Sequence, residues 1–213
     1  LCQWLGSLPT KSKREHFVDR GVRAPKGVRE CRFKRDMQIK QTTNRVQFHG
    51  EMPYTLANDL NMEVIGRVLD IRYLESVRER EGGSYGVGVS GYMLRLPVPT
   101  ARLIIQYDTD PLKEERLQKI IYEEIETLAQ EGPRADDLLK AKESMLKDFE
   151  EDQEKNGWWI GTVLPEYYRH GINYLTEYKD AVNAISAETV KLTLKRLLES
   201  GNHFEVIMEP NME

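Results

Sequence analysis

Between residues 112 and 199 the chain carries helical periodicities one after another, with no strand signal between them. Leu117, Ile121, Ile125 and Leu128 share one helical face, and Glu131-Gly132-Pro133 closes that segment. Leu138, Ala141, Met145 and Phe149 share the next, which reads to about residue 154. Asn156-Gly157 breaks the pattern. The aromatic-rich "WWIGTVLPEYYRHG" follows, read as a helix kinked near Pro165. "LTEYKDAVNAI" is a short helix, and "SAETVKLTLKRLLES" is a longer one with a cap-like start at Ser186 and Gly201 past its end. Strand signals lie elsewhere: residues 30–37, 43–49, 84–90 and 100–111, then the closing "HFEVIMEP". The order is β-β-α-β-β, five helices, β. Strands and helices that do not alternate cannot build a sheet of repeated parallel βαβ units. The pattern is α+β, an antiparallel or mixed sheet with helices massed on one face.

Residues 30–37 and 43–49 alternate as half-buried strands, the first through Cys31, Phe33 and Met37, the second through Val46 and Phe48. Leu56, Leu60, Val64, Val68 and Ile71 then predict a helix over about 54–80, with Pro53 near its start. That helix runs into "VREREGGSYGVGVSG", residues 77–91. Arg78 falls in the last helical turn, where a cation suits the carbonyl end of the dipole. Gly82 and Gly83 allow the left-handed backbone that ends a helix. In the strand that follows, Tyr85, Val87 and Val89 form one face. Gly86, Gly88 and Ser90 form the other, which has almost no side chains. Glycine weakens a strand and marks close approach of another backbone. A bare face beside an arginine and a tyrosine is a place for a second chain to lie against, by strand addition.

The 213 residues are 39% hydrophobic and 31% charged, a balance that suits a globular chain and excludes intrinsic disorder. No apolar run reaches the ~18 residues of a membrane helix. The net charge of -4, with acids and bases mixed along the chain, argues against a nucleic-acid partner. Cys2 and Cys31 do not make a disulfide framework, and no zinc pattern of the C-x-x-C type occurs. The start "LCQWLGSLPT" reads as the end of something already folded. Residues 1–12 are accordingly the tail of a preceding domain, 13–28 a linker rich in charge with Gly21, Pro25 and Gly27, and 29–213 the domain proper.

The usual catalytic signatures are missing. His16, His49, His170 and His203 are the only histidines, and none stands in H-E-x-x-H or H-x-x-E-H. His49, alone at a strand end, is read as a surface or hydrogen-bonded residue. No metal ligand is assigned to this chain. There is no G-x-S-x-G elbow, and "GGSYGVG" lacks the lysine and following helix of a phosphate loop. Trp158, Trp159, Tyr167 and Tyr168 read as core or domain-contact residues.

The stretch "LDIRYLESVREREGGSYGVGVSG" resembles the C-terminal region of the pitrilysin/insulinase zinc metallopeptidases, the family of insulysin and the mitochondrial processing peptidase. The similarity continues through "YDTDPLKEERLQKIIYEEIETLAQEGPRADDLLKAKESMLKDFEEDQEKNGWWIGTVLPEYYRHG" and covers about residues 30–210. The opening "WLGSLPT" resembles the end of the domain before. The resemblance implies an insulinase-like α-β roll. It also implies a zinc motif in the other, N-terminal half and a chamber formed when two halves close. From this half it implies an arginine and a tyrosine, which fall on Arg78 and Tyr85. The tyrosine donates to the scissile carbonyl or its oxyanion, and the arginine holds a substrate carbonyl. Zinc is then a cofactor of the full-length enzyme and is not bound by this chain. The partners are a peptide or polypeptide substrate and the zinc-binding half, in the same chain or in a partner subunit. Gly86, Gly88 and Ser90 are expected at the bound peptide. The competing readings are a non-catalytic assembly subunit of the same fold and a generic α+β binding module. The compartment is open between a bacterial periplasm or envelope and the cytoplasm.

Overall fold

The computed structural model describes residues 2–9, 16–81 and 86–211. In chain order the elements are α1 (Cys2–Leu5), β1 (Val28–Arg35), β2 (Thr42–Glu51), α2 (Leu56–Glu81), β3 (Val87–Leu94), β4 (Thr100–Thr109), a 3-10 turn (Pro111–Lys113), α3 (Glu114–Glu131), α4 (Ala135–Asp152), α5 (Asn156–Trp158), a π-helical turn (Trp159–Val163), α6 (Leu164–His170), α7 (Tyr174–Ala184), α8 (Ala187–Glu199) and β5 (His203–Pro210). The fold is α+β, as the run of helices predicts. The five strands form one mixed sheet in the order β1-β5-β2-β4-β3. Among the described strands β1 and β5 run parallel, and the other pairings are antiparallel.

Alternation decides which face of the sheet is dry. In β2, Val46 and Phe48 point inward, and in β4 Ala101, Leu103, Ile105 and Tyr107 do the same. They join one core with residues of α2, α3, α4, α7 and α8. The opposite side chains of β4, such as Gln106 and Asp108, stay in solvent. The helices therefore cover a single face.

Helix α2 lies at the centre of that layer. Leu60, Met62, Val64, Ile65, Val68, Leu69, Tyr73 and Val77 are all buried, more than one apolar stripe can supply. Sheet strands β3 and β4 and helices α3, α4, α7 and α8 surround it. Helix α8 starts as its sequence predicts: Ser186 Oγ accepts from the Thr189 amide at 3.2 Å, and Thr189 Oγ1 accepts from the Ser186 amide at 3.1 Å. Gly201 follows with φ 66°.

Two elements differ from expectation. The strand around Cys31 and Phe33 is not half-buried. It runs over Val28–Arg35 and is exposed on both faces, because among the described strands it pairs with β5 alone, and the start of α3 meets it through an ion pair, Glu114 with Arg32 at 3.4 Å, rather than covering it. The break in the aromatic helix comes before Pro165, where Trp159–Val163 forms a π turn and Pro165 simply opens α6.

His49 is buried rather than superficial. Its Nε2 lies 3.0 Å from the Pro25 carbonyl oxygen, so the extended segment 16–27 is fastened over that end of β2. Burial, reinforced by nearby Arg102 and opposed by the Pro25 carbonyl, holds its pKa below 6.5. His203 shifts the same way through burial. The unfolded chain thus takes up these protons more readily than the folded one. The corresponding stability is complete above pH 6.5 and is lost as pH falls from there through the lowered folded values. Thermal unfolding followed from about pH 7.5 to about pH 5.5 is expected to show this loss, with a shallower decline in His49→Gln.

Helix α2 meets β3 at two glycines. A Cβ on Gly91 would stand 1.9 Å from the Met62 carbonyl oxygen, and one on Gly66 would stand 2.9 Å from the Gly91 nitrogen. Backbone cannot yield as a side chain can. Gly91→Ala is expected to lose about 3 kcal/mol of stability. Gly88→Ala, whose added methyl would meet only the Gln106 carbonyl at 4.0 Å, is expected to change it by less than ~0.5 kcal/mol. Thermal denaturation of the two variants side by side makes the comparison.

Candidate functional site

The residues singled out in the sequence converge on the passage from α2 to β3. Arg78 lies in the last turn of α2, and its side chain is outside the described residues. Tyr85 and the three residues before it are outside them as well, flanked by the end of α2 and the start of β3 at Val87. The expected pairing of Arg78 with Tyr85 thus lies outside the described residues.

The end of α2 is held by a charged clamp. Buried Arg72 donates from Nη2 to the Gly132 carbonyl at 3.0 Å, and its guanidinium stands 3.6 Å from Asp137 and 3.9 Å from Glu124. Arg134 grips the same Asp137 at 2.6 and 3.0 Å and reaches Glu75 of α2 at 2.7 Å. Gly132 adopts φ 84°, which lets the chain turn there and present that carbonyl. Three helices are thus tied together less than two turns before Arg78.

Gly86, Gly88 and Ser90 are all exposed. Gly88 and Ser90 alternate with Val87 and Val89, which pack against the core, so they open onto the sheet face away from the helices. A Cβ on Gly86 would find nothing within 4 Å. Beside them on β4 run Ile104, Gln106 and Asp108, and beyond those on β2 come Thr43, Arg45 and Gln47. Thr43 Oγ1 donates to Asp108 at 2.6 Å, and Arg45 Nη1 donates to Gln106 at 3.3 Å. The surface is a shallow polar floor with a few apolar side chains.

The edge of β3 behaves differently from its face. The Val89 amide donates to Asp70 Oδ1 at 3.2 Å, and the Met93 amide donates to Asp59 Oδ1 at 2.9 Å. Both carboxylates belong to α2. Between them the Gly66–Gly91 contact brings helix and strand backbones together. From Val89 to Met93 the outer edge is thus taken by the protein itself. An added strand can pair with β3 only on the near side of Val89. Burial raises the pKa of Asp59, against the hydrogen bonds from the Met93 amide and the Tyr54 hydroxyl, and burial raises that of Asp70 as well. Sequence reasoning missed this guard. Its signal was available: Asp59, Met62, Gly66 and Asp70 recur at 3, 4 and 4 residues, the spacing of one helical stripe.

Among the described residues, no group of three or more His, Cys, Asp and Glu side chains is arranged to hold a metal ion. His49 is engaged with a backbone carbonyl, and His203 Nε2 lies 2.8 Å from the Tyr122 hydroxyl. These donors do not fit a zinc site. No described helix is long and apolar enough to cross a membrane.

The family profile "Peptidase M16 inactive domain" matches residues 1–145. The chain belongs to the M16 peptidase family. Solved structures share the M16 fold across nearly all of it. The periplasmic protease PqqL of Escherichia coli superposes with TM-score 0.75 at 14% identity, over 98% of this chain and 23% of that one. An M16 inactive domain from Pseudomonas fluorescens gives 0.68 at 19% identity, over 88% and 45%. The ferredoxin protease FusC, seen in complex with Arabidopsis ferredoxin, gives 0.66 at 12% identity, over 85% and 20%. The chain spans less than half the length of each. No curated protein matches the sequence. M16 peptidases are zinc-dependent, and this chain carries the family's inactive domain.

The carboxylate guard is directly testable by amide exchange. In Asp70→Ala the Val89 amide is expected to exchange at least about 10-fold faster, with ~1 kcal/mol lost from global stability. Asp59→Ala, which frees both the Met93 amide and the Tyr54 hydroxyl, is expected to lose about 2 kcal/mol.

Proposed function

We propose that this chain is the substrate-binding C-terminal domain of a zinc-dependent endopeptidase. In this reading residues 29–213 form the domain, 13–28 the linker and 1–12 the tail of the domain before. The catalytic metal is carried by a zinc-binding half, in the same polypeptide or in a partner subunit. The observation that carries the proposal is the M16 match across the segment containing both Arg78 and Tyr85. The placement of Arg78 at the clamped end of α2, directly before β3, supports it.

In the proposed mechanism the Tyr85 phenol donates a hydrogen bond to the scissile carbonyl and keeps it as that oxygen gains negative charge. A donor aimed at the developing oxyanion contributes most in the transition state. The Arg78 guanidinium holds a neighbouring peptide carbonyl and adds positive potential beside the phenol. The peptide lies over Gly86, Gly88 and Ser90, where the missing side chains let its backbone approach the sheet. Pairing with the edge of β3 stops at Val89, where Asp70 occupies the amide. Polypeptide substrates fit this arrangement. The FusC–ferredoxin complex is an example of a protease of this fold with a whole protein bound.

The test is Tyr85→Phe in the assembled enzyme. Turnover of a peptide substrate is expected to fall by roughly ten- to a thousand-fold, with the melting temperature unchanged. Arg78→Ala is expected to raise KM as well as lower kcat, because it removes a contact made before and during reaction. Unaltered turnover in both variants would favour a non-catalytic assembly subunit of the same fold.

A further inference from the structure

A crevice of about 400 Å³ opens between α2, the end of α4, the π turn and α7. One wall is aromatic. Phe149 stacks on Tyr178 with centroids 4.6 Å apart, and Trp158 meets Phe149 edge-on at 5.6 Å. Tyr174 extends the array, 5.1 Å from Tyr178 and 6.4 Å from Trp158. Thr162 of the π turn forms part of the lip. A π turn departs from the cheaper α-helical bonding pattern and often marks a working site.

The other wall is charged, and its charges do not cancel. Glu63, Asp148 and Asp152 face Arg67 and Lys155, three carboxylates against two cations. Both cations are already committed. Arg67 donates to Glu63 at 3.1 and 2.7 Å and to Ser144 at 2.7 Å, and it pairs with Asp148 at 2.8 Å. Lys155 holds Asp152 at 2.8 Å. Lys179 lies over the Phe149 ring at 5.8 Å but is paired with Glu150, which is not part of the lining. One negative charge remains in excess, beside ring faces that carry negative potential of their own.

Two phenols are available to a ligand. Tyr178 is only 6% exposed and lines the crevice, yet its hydroxyl makes no hydrogen bond among the described residues. The Tyr174 hydroxyl makes none either. Both residues line the crevice, so a ligand seated there can reach their hydroxyls. Burial, together with the nearby carboxylates Asp59 for Tyr174 and Glu63 for Tyr178, pushes both phenols up, so both stay protonated with lone pairs free to accept.

We propose that this crevice binds the guanidinium side chain of an arginine carried by a peptide. A guanidinium matches every feature of the lining. It is cationic, its flat face stacks on aromatic rings, and its fork of N–H groups reaches carboxylate and phenol oxygens together. An ammonium would satisfy the charge but not the stacking, so lysine binds less well. The inference uses neither Arg78 nor Tyr85. Loss of turnover in those variants and loss of binding here are read out separately.

The test titrates the full chain with three acetylated, amidated tripeptides, alanines flanking arginine, lysine or citrulline. Binding is followed by calorimetry and by the Trp158 indole and Tyr178 ring resonances. The arginine peptide is expected to bind at least about 10-fold tighter than its neutral citrulline isostere, with lysine between them. Asp148→Asn, which leaves Arg67 its bonds to Glu63 and Ser144, is expected to weaken arginine binding about 3- to 5-fold. Lys155→Met removes a competing cation and is expected to strengthen it by about the same factor. Both variants are checked for an unchanged melting temperature. Equal binding of the arginine and citrulline peptides overturns the proposal, as does an absence of Trp158 and Tyr178 shifts at ~10 mM peptide.

Discussion

The contact between Gly66 and Gly91 sets the distance at which α2 rides on the sheet, and much else follows from it. Because neither residue has a side chain, the helix comes close enough for its own backbone to touch β3. At that distance a short aspartate one turn or two away can reach a strand amide, and Asp59 and Asp70 do so. A larger residue at either glycine would lift the helix and leave those amides bare. Close packing and protection of the edge are thus one arrangement.

An unguarded edge strand is an invitation to any other chain with free backbone groups. At the β3 edge the protein answers most of its own backbone groups and leaves the start of that strand open. Gly88 and Ser90 stay exposed on the sheet face away from the helices, while the edge beyond Val89 is closed. The Arg72–Asp137–Arg134 clamp fixes where α2 ends. Side chains in its last turn therefore start from a backbone whose position is determined by three helices.

Much of this was legible in the residues. The uninterrupted helices of the second half gave the α+β class, and alternation in Val46 and Phe48 gave the buried face of β2. The bare face of β3 was visible as Gly86, Gly88 and Ser90, and it is solvent-exposed. What a one-dimensional pattern could not separate was the face of a strand from its edge, since both are described by the same residues. The role of Gly66 also stayed hidden, because a lone glycine in a helix has several explanations until its neighbour across space is known. Phe33 misled for a related reason: alternation predicts two faces but cannot say whether anything covers either of them. The aromatic cluster around Trp158 was read as core or contact. It is partly that, yet its inner surface borders a crevice that no periodicity encodes.

The pairing of β1 with β5 carries a mechanical consequence. The two strands run in the same direction, Val28 beside His203 and Arg35 beside Pro210. Tension applied upstream of β1 and downstream of β5 pulls them lengthwise past each other. The ladder is then loaded in shear, with all its rungs sharing the force, rather than being peeled open one rung at a time. Although β1 is the most solvent-bathed strand of the sheet, it resists pulling along the chain better than its exposure suggests.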